Sequence, residues 1–411
     1  MRTRRTIALA AFLLLAACAP VVHVTPTDPG AALRPISTPS AGSEPPLCFV
    51  VGGTAPTATP GGEFYPPPSP GDWSEGPADA AVTFTVYSAA PCDVCAALDA
   101  SLTRLRGQFP QDVRIVYRHF PLAGHPLTDM AARALEAAGA QGRFFEFERQ
   151  LFARAQLWQK LEPEAFADWL SALAAELELD SARFRERLQS PETAAAVQAA
   201  RAQAEALGIP GVPHLLINGS AYQGPRDSLN LAQVVRLTLL EERQYDACPA
   251  MTIDLQRSYT ARLVTEKGQV RVELYPRAAP VAVNSFVFLA REGWYDDSGF
   301  HRVLPDFLVQ GGDPSGTGYG GPGYAFDIEL SPDLSFDRAG RLALVNSGPN
   351  SNGSQFFITL AAAPDLDGEY TILGQVVEGK EVLRALTPRD PALGEPLPEP
   401  DALLSVEIEE K

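Results

Sequence analysis

Alternating apolar and polar positions open the first periodic part of the chain, and helical spacing dominates its middle. The segments AVTFTVYS at residues 81–88 and DVRIVYRHF at residues 112–120 alternate in this way, which predicts two strands with a helix between them. Residues 128–207 have helical spacing, and a strand (HLLING) and a helix over 229–243 are predicted to follow. This order predicts an α/β layered domain with a helical insertion over residues 80–245.

The period of the pattern changes after residue 250. RSYTARLVTEKGQVRVELYP alternates on both sides of Lys267-Gly268, which predicts a β-hairpin. The next segment has Pro280 near its start and Gly293 just past its end, as a short helix has. Short strands with Gly-rich turns follow. Residues 251–411 are therefore predicted to form a closed β-barrel with flanking helices and an acidic C-terminal tail.

The first 79 residues lack such periodicity. Residues 1–18 begin with the basic sequence MRTRR and continue with an apolar run shorter than the ~20 residues that cross a bilayer, which predicts an export signal. Residues 19–79 are dense in Pro, Gly, Ser and Thr, which predicts a tether.

The end of this signal carries a cysteine. Leu15-Ala16-Ala17-Cys18 resembles the lipobox of bacterial lipoproteins. The resemblance implies that lipid on Cys18 anchors an exported protein to the outer face of the cell membrane. An ordinary secretory signal, cut nearby with Cys18 incidental, is the alternative.

Four other cysteines remain: Cys48, Cys92, Cys95 and Cys248. An even number in an oxidising compartment indicates pairs. Cys92 and Cys95 would form one pair and Cys48 and Cys248 the other, a structural disulfide. Two unrelated free thiols are the alternative to the second pair.

Length and charge limit the function classes. The 411 residues predict two folded domains, since a domain usually has about 100 to 200 residues. The net charge of −17 argues against a general affinity for nucleic acid or for anionic lipid, so membrane contact is expected only through the lipid anchor.

Three segments of the C-terminal part resemble cyclophilins, in that family's order and spacing: GFHRVLPDFLVQGGDPSGTGYGG, LALVNSGPNSNGSQFFITL and LDGEYTILGQVVEG. The resemblance implies a peptidyl-prolyl cis/trans isomerase. An X-Pro bond rotates over a barrier of about 18–20 kcal/mol that arises from amide resonance. A fixed donor near the imide nitrogen and an apolar proline pocket lower this barrier without metal or cofactor.

The cyclophilin resemblance also assigns residue roles. Arg302 would be the donor, because its guanidinium stays charged and presents a rigid set of N–H groups. The proline pocket would be walled by Phe307, Leu308, Phe357 and Leu366. The substrate backbone would be held by Gln310, Asn346 and Gln355. Asp365 and Tyr370 at the rim depart from the tryptophan and histidine that many eukaryotic cyclophilins carry there.

The CxxC motif at Cys92-Asp93-Val94-Cys95 is compatible with a redox pair, half of a zinc site or a structural disulfide. Zinc is disfavoured, because no second CxxC or His pair has the usual ligand spacing. The motif follows a predicted strand and begins a helix, whose dipole stabilises a thiolate.

Two segments around this motif carry a second resemblance. Gly211-Val212-Pro213-His214 resembles the cis-proline loop of thioredoxin-fold proteins, and RHFPLAGHPLTDMAARALEAAGAQGRFFEFERQLF is similar to DsbA-like disulfide oxidoreductases. The resemblance implies Cys92 as the attacking thiolate, Cys95 as the resolving thiol, and Val212 and Pro213 as substrate-positioning residues. Asp93 replaces a neutral or basic neighbour, so we expect a less oxidising pair.

These observations predict a folding factor that acts on unfolded exported proteins with X-Pro bonds and cysteines; the sequence does not name its redox partner. Two alternatives stay open. One is a chaperone that only binds clients. The other is a thiol reductant or redox sensor whose cyclophilin domain recruits them. Replacing Arg302 with Ala separates the first alternative from an isomerase.

Overall fold

The computed structural model describes residues 48–51, 65–122, 124–125, 127–394 and 397–411, all within one compact unit. The predicted signal with Cys18 and residues 19–47 of the predicted tether lie outside the described residues. In the described part of the chain, no helix combines the length and apolarity needed to cross a membrane.

The N-terminal domain is built on a five-stranded sheet in the order β2-β4-β3-β5-β6. Its strands are β2 (Trp73–Glu75), β3 (Val82–Ser88), β4 (Val113–His119), β5 (His214–Ile217) and β6 (Ser220–Ala221). The neighbours β3 and β4 run parallel, joined by helix α1 (Asp93–Gln108), whereas β5 runs antiparallel to β3. The predicted β-α-β start is therefore confirmed.

Seven further helices complete this domain. They are α2 (Thr128–Gly139), α3 (Phe144–Ala153), α4 (Ala155–Trp158), α5 (Pro163–Glu176), α6 (Ser181–Gln189), α7 (Pro191–Ala206) and α8 (Ser228–Glu241). Helices α2 to α7 form the predicted insertion between β4 and β5. Large buried side chains from four of these helices share one apolar core: Phe147, Trp158, Phe166 and Phe184.

The predicted tether ends before residue 79. Strand β2 forms the edge of the sheet by pairing with β4, and Trp73 stacks on Phe144 with ring centroids 4.8 Å apart. The Asp72 carboxylate accepts two hydrogen bonds from the Arg118 guanidinium. A three-residue edge strand shows too little alternation to be detected by periodicity, and the Pro-rich composition before it favoured a tether.

The C-terminal domain contains a nine-stranded sheet in the order β10-β11-β14-β13-β15-β8-β7-β16-β9. Its strands are β7 (Tyr259–Thr265), β8 (Gly268–Leu274), β9 (Ser298–Gly299), β10 (Arg302–Leu304), β11 (Leu308–Gly311), β13 (Arg341–Leu344), β14 (Phe356–Thr359), β15 (Ile372–Glu378) and β16 (Ala402–Glu410). Helices α9 (Pro280–Arg291) and α10 (Lys380–Arg384) flank it. The β7–β8 hairpin turns at the predicted position.

The prediction of a closed barrel is wrong, because the sheet is a curled, open half-barrel. Its two end strands, β9 and β10, belong to one stretch of chain, residues 298–304. The first part of this stretch pairs with β16 and the second with β11. Strands β9 and β10 have only two and three residues, and each is paired with another strand on one side only, so they are the two ends of an open strand order.

A short strand from the predicted tether joins the C-terminal domain. Strand β1 (Cys48–Val50) pairs antiparallel with β12 (Tyr324–Phe326), in a separate two-stranded sheet. Cys48 is bonded to Cys248, with the two Cα atoms 6.1 Å apart. The structure thus has the second cysteine pair as a disulfide across 200 residues of sequence.

Candidate active sites

One row of side chains crosses four strands of the C-terminal sheet. Arg302 of β10 lies opposite Gln310 of β11, Gln310 lies opposite Phe357 of β14, and Phe357 lies opposite Ala343 of β13. Directly opposite residues of antiparallel strands point to the same face. The sheet register therefore brings the predicted donor, a predicted backbone-holding residue and a predicted pocket residue onto one surface.

An apolar pocket surrounds Phe357 on this surface. Leu308 is buried against it, and Leu366 and Tyr370 pack at its margin. The Tyr370 ring contacts the Phe357 ring edge to face, with ring centroids 5.2 Å apart. The Phe336 ring stacks on the Phe357 ring, with ring centroids 5.7 Å apart. Four predicted pocket or rim residues are thus together, and Phe336 is one that sequence reasoning missed.

Phe307 is the more exposed of the two phenylalanines predicted at the proline pocket. About 40% of its surface is exposed, whereas Phe357 is buried. Phe307 lies in the turn between β10 and β11, where its backbone N–H donates a hydrogen bond to the Leu304 carbonyl. Phe357 therefore forms the buried floor, and the place of Phe307 in the pocket wall stays a prediction.

A chain of amide groups holds the polar side of the site. Gln310 Nε2 donates to Gln355 Oε1 at 3.1 Å, and Gln355 Nε2 donates to the carbonyls of Gly318 and Gly320, both at 3.0 Å. Asn346 Nδ2 donates to the Glu369 carbonyl at 2.9 Å. Each predicted backbone-holding side chain is fixed by a partner before a client arrives.

The loop that Gln355 contacts is organised by a buried carboxylate that sequence reasoning missed. Asp313 is fully buried and accepts hydrogen bonds from the N–H groups of Ser315, Gly318 and Gly320. A Cβ at Gly320 would lie 2.0 Å from Asp313 Oδ1, so only glycine fits. The Gly-rich spacing after Asp313 was the available signal.

Arg302 has few internal partners. Within the described part of the chain its side chain makes one ion pair, 3.7 Å from Arg302 Nε to Asp390 Oδ1, and no hydrogen bond. About a third of this side chain is exposed. Burial raises the pKa of Tyr370, Glu369 adds to the rise, and Arg302 opposes it, which places the guanidinium close to the pocket margin. Its N–H groups are therefore available to a ligand.

The second candidate site lies at the start of α1. Cys92 is the N-cap residue, with extended backbone, and its Sγ accepts a hydrogen bond from the Cys95 N–H at 3.2 Å. Cys92 and Cys95 form a disulfide. Cys92 is half-buried and Cys95 is buried, so an attacking group can reach only the first sulfur without local movement.

The predicted proline loop lies beside this disulfide. Val212-Pro213 is a cis peptide, and β5 starts at the next residue, paired with Tyr87 near the end of β3. Cys92 follows β3 by four residues, and Cys92 and Val212 pack against the same core. Arg226 donates to the Pro213 carbonyl at 2.8 Å. The sheet therefore brings the CxxC and the proline loop together.

Two carboxyl groups near the disulfide, the partly buried Asp99 and the buried Glu148, were missed by sequence reasoning. Asp99 lies one helical turn after Cys95, and Glu148 of α3 is 3% exposed, with its Oε2 lacking a hydrogen-bond partner among the described residues. Burial raises the pKa of Asp99 to about 6; Arg149 lowers it and Glu75 raises it. Burial also raises the pKa of Glu148 well above its usual value. Glu148 interrupts the apolar stripe of α3, which was the available signal.

Comparison with known proteins identifies the C-terminal domain. A family model for "cyclophilin type peptidyl-prolyl cis-trans isomerase/CLD" matches residues 260–407. The peptidyl-prolyl cis-trans isomerase ppi1 of Schizosaccharomyces pombe is 51% identical over 127 residues, which is 30% of this chain and 82% of that protein. This chain belongs to the cyclophilin family. The human peptidyl-prolyl cis-trans isomerase-like 1 is also 51% identical, over 120 residues, which cover 28% of this chain and 72% of that protein.

Two further similarities cover the two domains. A family model described as thioredoxin matches residues 69–236, so the N-terminal domain is thioredoxin-like. A solved cyclophilin type isomerase from Cryptosporidium parvum is 35% identical and covers 37% of this chain and 98% of that chain, with a TM-score of 0.35.

The cyclophilin site can catalyse rotation without covalent chemistry. The Phe357 pocket can hold the proline ring, while the amides of Gln310 and Asn346 border the client backbone. A guanidinium N–H of Arg302 directed at the imide nitrogen weakens amide resonance and stabilises the twisted bond. Such preorganised electrostatic stabilisation needs no proton transfer.

Proposed function

We propose that this cyclophilin is an exported, lipid-anchored folding factor whose thioredoxin-like domain is a DsbA-like thiol-disulfide oxidoreductase. The observation that carries the proposal is the Cys92–Cys95 disulfide beside the Val212-Pro213 loop, in the same compact unit as the Arg302 site. X-Pro isomerisation and disulfide formation are both slow steps in folding. A client that needs both would therefore benefit from one protein that carries both sites.

The proposed redox reaction is a two-step exchange. A client thiolate attacks Cys92 Sγ, the Cys92–Cys95 bond breaks, and Cys95 leaves as a thiolate that takes up a proton. A second client thiolate then attacks the mixed disulfide and releases Cys92. The client loses two electrons and two protons, and the CxxC gains them. The reverse sequence reduces or rearranges client disulfides.

The proposed location follows from the sequence pattern of residues 1–18 and from the cysteines. A basic start, a short apolar run and LAAC predict export with lipid on Cys18. The Cys48–Cys248 disulfide supports an oxidising compartment, because structural disulfides are rare where thiols are kept reduced. The proposed clients are unfolded exported proteins with cysteines and X-Pro bonds.

Trapping of mixed disulfides tests the redox proposal. The Cys95→Ser variant lacks the resolving thiol, so we expect it to accumulate a covalent complex with a client that contains a disulfide: the Cys92 thiolate attacks one client sulfur, the other leaves as a thiolate, and no second CxxC thiol releases the mixed disulfide. The Cys92→Ser variant is the matched control, because its remaining thiol is buried and should trap none. Equal trapping by both variants, or trapping by neither, would contradict the assignment of Cys92 as the attacking residue.

A further inference from the structure

A groove of about 520 Å³ adjoins the polar side of the isomerase site. Asn346 and Gln355 of the active site line it, together with the loop around Tyr319. Phe49 and Val51, from the short N-terminal arm that contains β1, line it as well. The groove is therefore continuous with the isomerase site and includes residues from outside the segment that matches the cyclophilin family model.

The groove lacks charge, in a chain that carries a net charge of −17. Among the described residues that line it, none is Asp, Glu, Lys or Arg. Three large side chains are well exposed there: Tyr319 at 72%, Phe49 at 39% and Val51 at 41%. Exposed apolar and aromatic side chains gathered in one concave place indicate a binding surface. The chemistry fits an apolar, uncharged polypeptide segment.

The N-terminal arm is held in place by three kinds of contact. Residues of β1 pair with β12, and the Val51 N–H donates to the Gly323 carbonyl at 2.9 Å. Cys48 packs against the apolar core of the domain and is bonded to Cys248. Because side chains alternate along a strand, Phe49 and Val51 share the face opposite that of Cys48. The disulfide thus fixes the register that presents both side chains to the groove.

The opposite wall is equally fixed. The Gly318–Gly323 loop is held by the buried Asp313 carboxylate and by Gln355 Nε2. Gly323 has φ +86°, and a Cβ there would lie 2.4 Å from the Tyr245 carbonyl oxygen. Both walls are therefore formed before a client binds, which reduces the entropy cost of binding.

We propose that Phe49 and Val51, which lie outside the segment shared with the cyclophilin family, give the isomerase a preference for apolar client residues in this groove. The occupant is the same client chain whose proline fills the Phe357 pocket, because Asn346 and Gln355 border both places. The proposal rests on the isomerase activity and is independent of the proposed redox function.

Kinetics with three peptides test the proposal. All three contain the same X-Pro core: one is short, one adds Leu and Phe on both sides, and one adds Ser and Gly at the same positions. The test variant is Phe49→Ser with Val51→Ser in the full chain. The matched control is Val50→Ser, which changes a residue of the same strand that is 49% exposed but does not line the groove.

We expect the double variant to lower kcat/KM for the Leu- and Phe-containing peptide by about 5- to 10-fold, mainly through KM, as loss of uniform binding does. The other two peptides should change by less than about twofold, and Val50→Ser should leave all three unchanged. An equal loss for all three peptides would show damage to the isomerase site itself. No loss for any peptide would assign the groove to another occupant, such as a segment of this chain outside the described residues. Either result would overturn the proposal.

Discussion

Arg302 contributes a permanent charge at a place where the protein gives it little else to bind. Its one ion pair, with Asp390, spans 3.7 Å, and the neighbouring His301 is buried, with a pKa that burial lowers. Burial therefore disfavours the charged form of His301, and its ring lies beside Gly318. Arg302 is therefore the residue to which we assign the predicted role of catalytic donor.

Replacing Arg302 with Ala should remove that donor. We expect kcat/KM for a proline-containing peptide to fall about 100- to 1,000-fold, the usual effect of losing one preorganised donor. Arg302→Lys keeps the charge but not the planar set of N–H groups, so it should recover only part of the loss. A protease-coupled peptide assay measures both variants. Activity of Arg302→Ala within about threefold of the natural protein would exclude the proposed role.

Asp93 should set the redox poise of the Cys92–Cys95 pair. Its carboxylate in the first turn of α1 raises the free energy of a Cys92 thiolate, which favours the disulfide. We expect the natural protein to be less oxidising than about −120 mV, the strong-oxidant end of the known range. Asp93→Asn should make the reduction potential of the pair about 10–20 mV more positive. Asp168→Asn makes the same change at an exposed position of α5 and should leave the potential unchanged. Titration of all three proteins with glutathione measures these potentials. A reduction potential near −120 mV for the natural protein would contradict the prediction.

Glu148 should make stability depend on pH. Its folded-state pKa is raised, by burial first and then by Asp99 and Glu75, with Arg149 opposing. In the unfolded chain the pKa of this side chain is about 4.5, and below that pH Glu148 is protonated in both the folded and the unfolded state. As the pH rises, the unfolded chain loses the proton more readily, so stability is lost on the way up to the folded pKa.

Glu148→Gln should remove this loss. We expect the variant and the natural protein to have equal Tm near pH 4, and the variant to have the higher Tm at pH 7.5. Glu146→Gln is the control, because it makes the same change at an exposed position of α3. Thermal unfolding from pH 4 to pH 8 gives the Tm of all three proteins. If the difference in Tm between Glu148→Gln and the natural protein narrows as the pH rises, the pKa of Glu148 is not raised in the folded state.

At the scale of elements, local patterns were sufficient for structure that is local. Pro280 and Gly293 bracket α9, and Lys267-Gly268 marks the β7–β8 turn, because helix ends and hairpin turns are specified by neighbouring residues. The edge strand β2 and the open end of the half-barrel depend on which distant strand is the neighbour. Periodicity carries no such information, so the tether was predicted too long and the barrel was predicted closed.

The β1 arm is an element that needs a covalent tie. A three-residue strand on β12 makes few hydrogen bonds, whereas the Cys48–Cys248 bond closes a loop of 200 residues. Removing such a cross-link typically costs about 2–4 kcal/mol. The matched test variant is Cys48→Ser with Cys248→Ser, which leaves no unpaired thiol of this pair.

We expect this double variant to have a lower Tm and to lose protection of the Val51 N–H from hydrogen exchange. Protection in the core strands β13 and β14 should persist, because they pair with each other in the nine-stranded sheet, whereas β12 belongs to the separate two-stranded sheet. Exchange measured by mass spectrometry reports both regions. Unchanged protection at Val51 would show that strand pairing alone holds the arm.

At the scale of the whole molecule, the two domains are joined through the end of α8. Leu240 is buried in the core of the isomerase domain, and Arg243 donates to the carbonyls of Gly293 and Trp294. The Tyr245 N–H donates to the Pro322 carbonyl, beside the apolar groove. The segment between the domains is therefore packed against the isomerase domain and is not a free linker.

The sequence was a good guide to the active sites and a poor guide to what surrounds them. Arg302, Gln310 and Phe357 come from three strands, and only their likeness to a known pattern could group them in advance; the register then explains why they meet. Asp313 and Glu148 could not be found in this way, because a buried carboxyl is recognised by its burial. Phe49 and Val51 depend on a distant disulfide for their position.

Refolding of a reduced client that has both a slow X-Pro step and native disulfides tests the central claim of paired activities. The natural protein should accelerate both phases. Arg302→Ala should accelerate only disulfide formation, and Cys92→Ser should accelerate only the X-Pro phase, with each phase followed separately by fluorescence and by thiol trapping. If Cys92→Ser forms client disulfides as fast as the natural protein, the thioredoxin-like domain is not an oxidoreductase and the account of a two-enzyme folding factor fails.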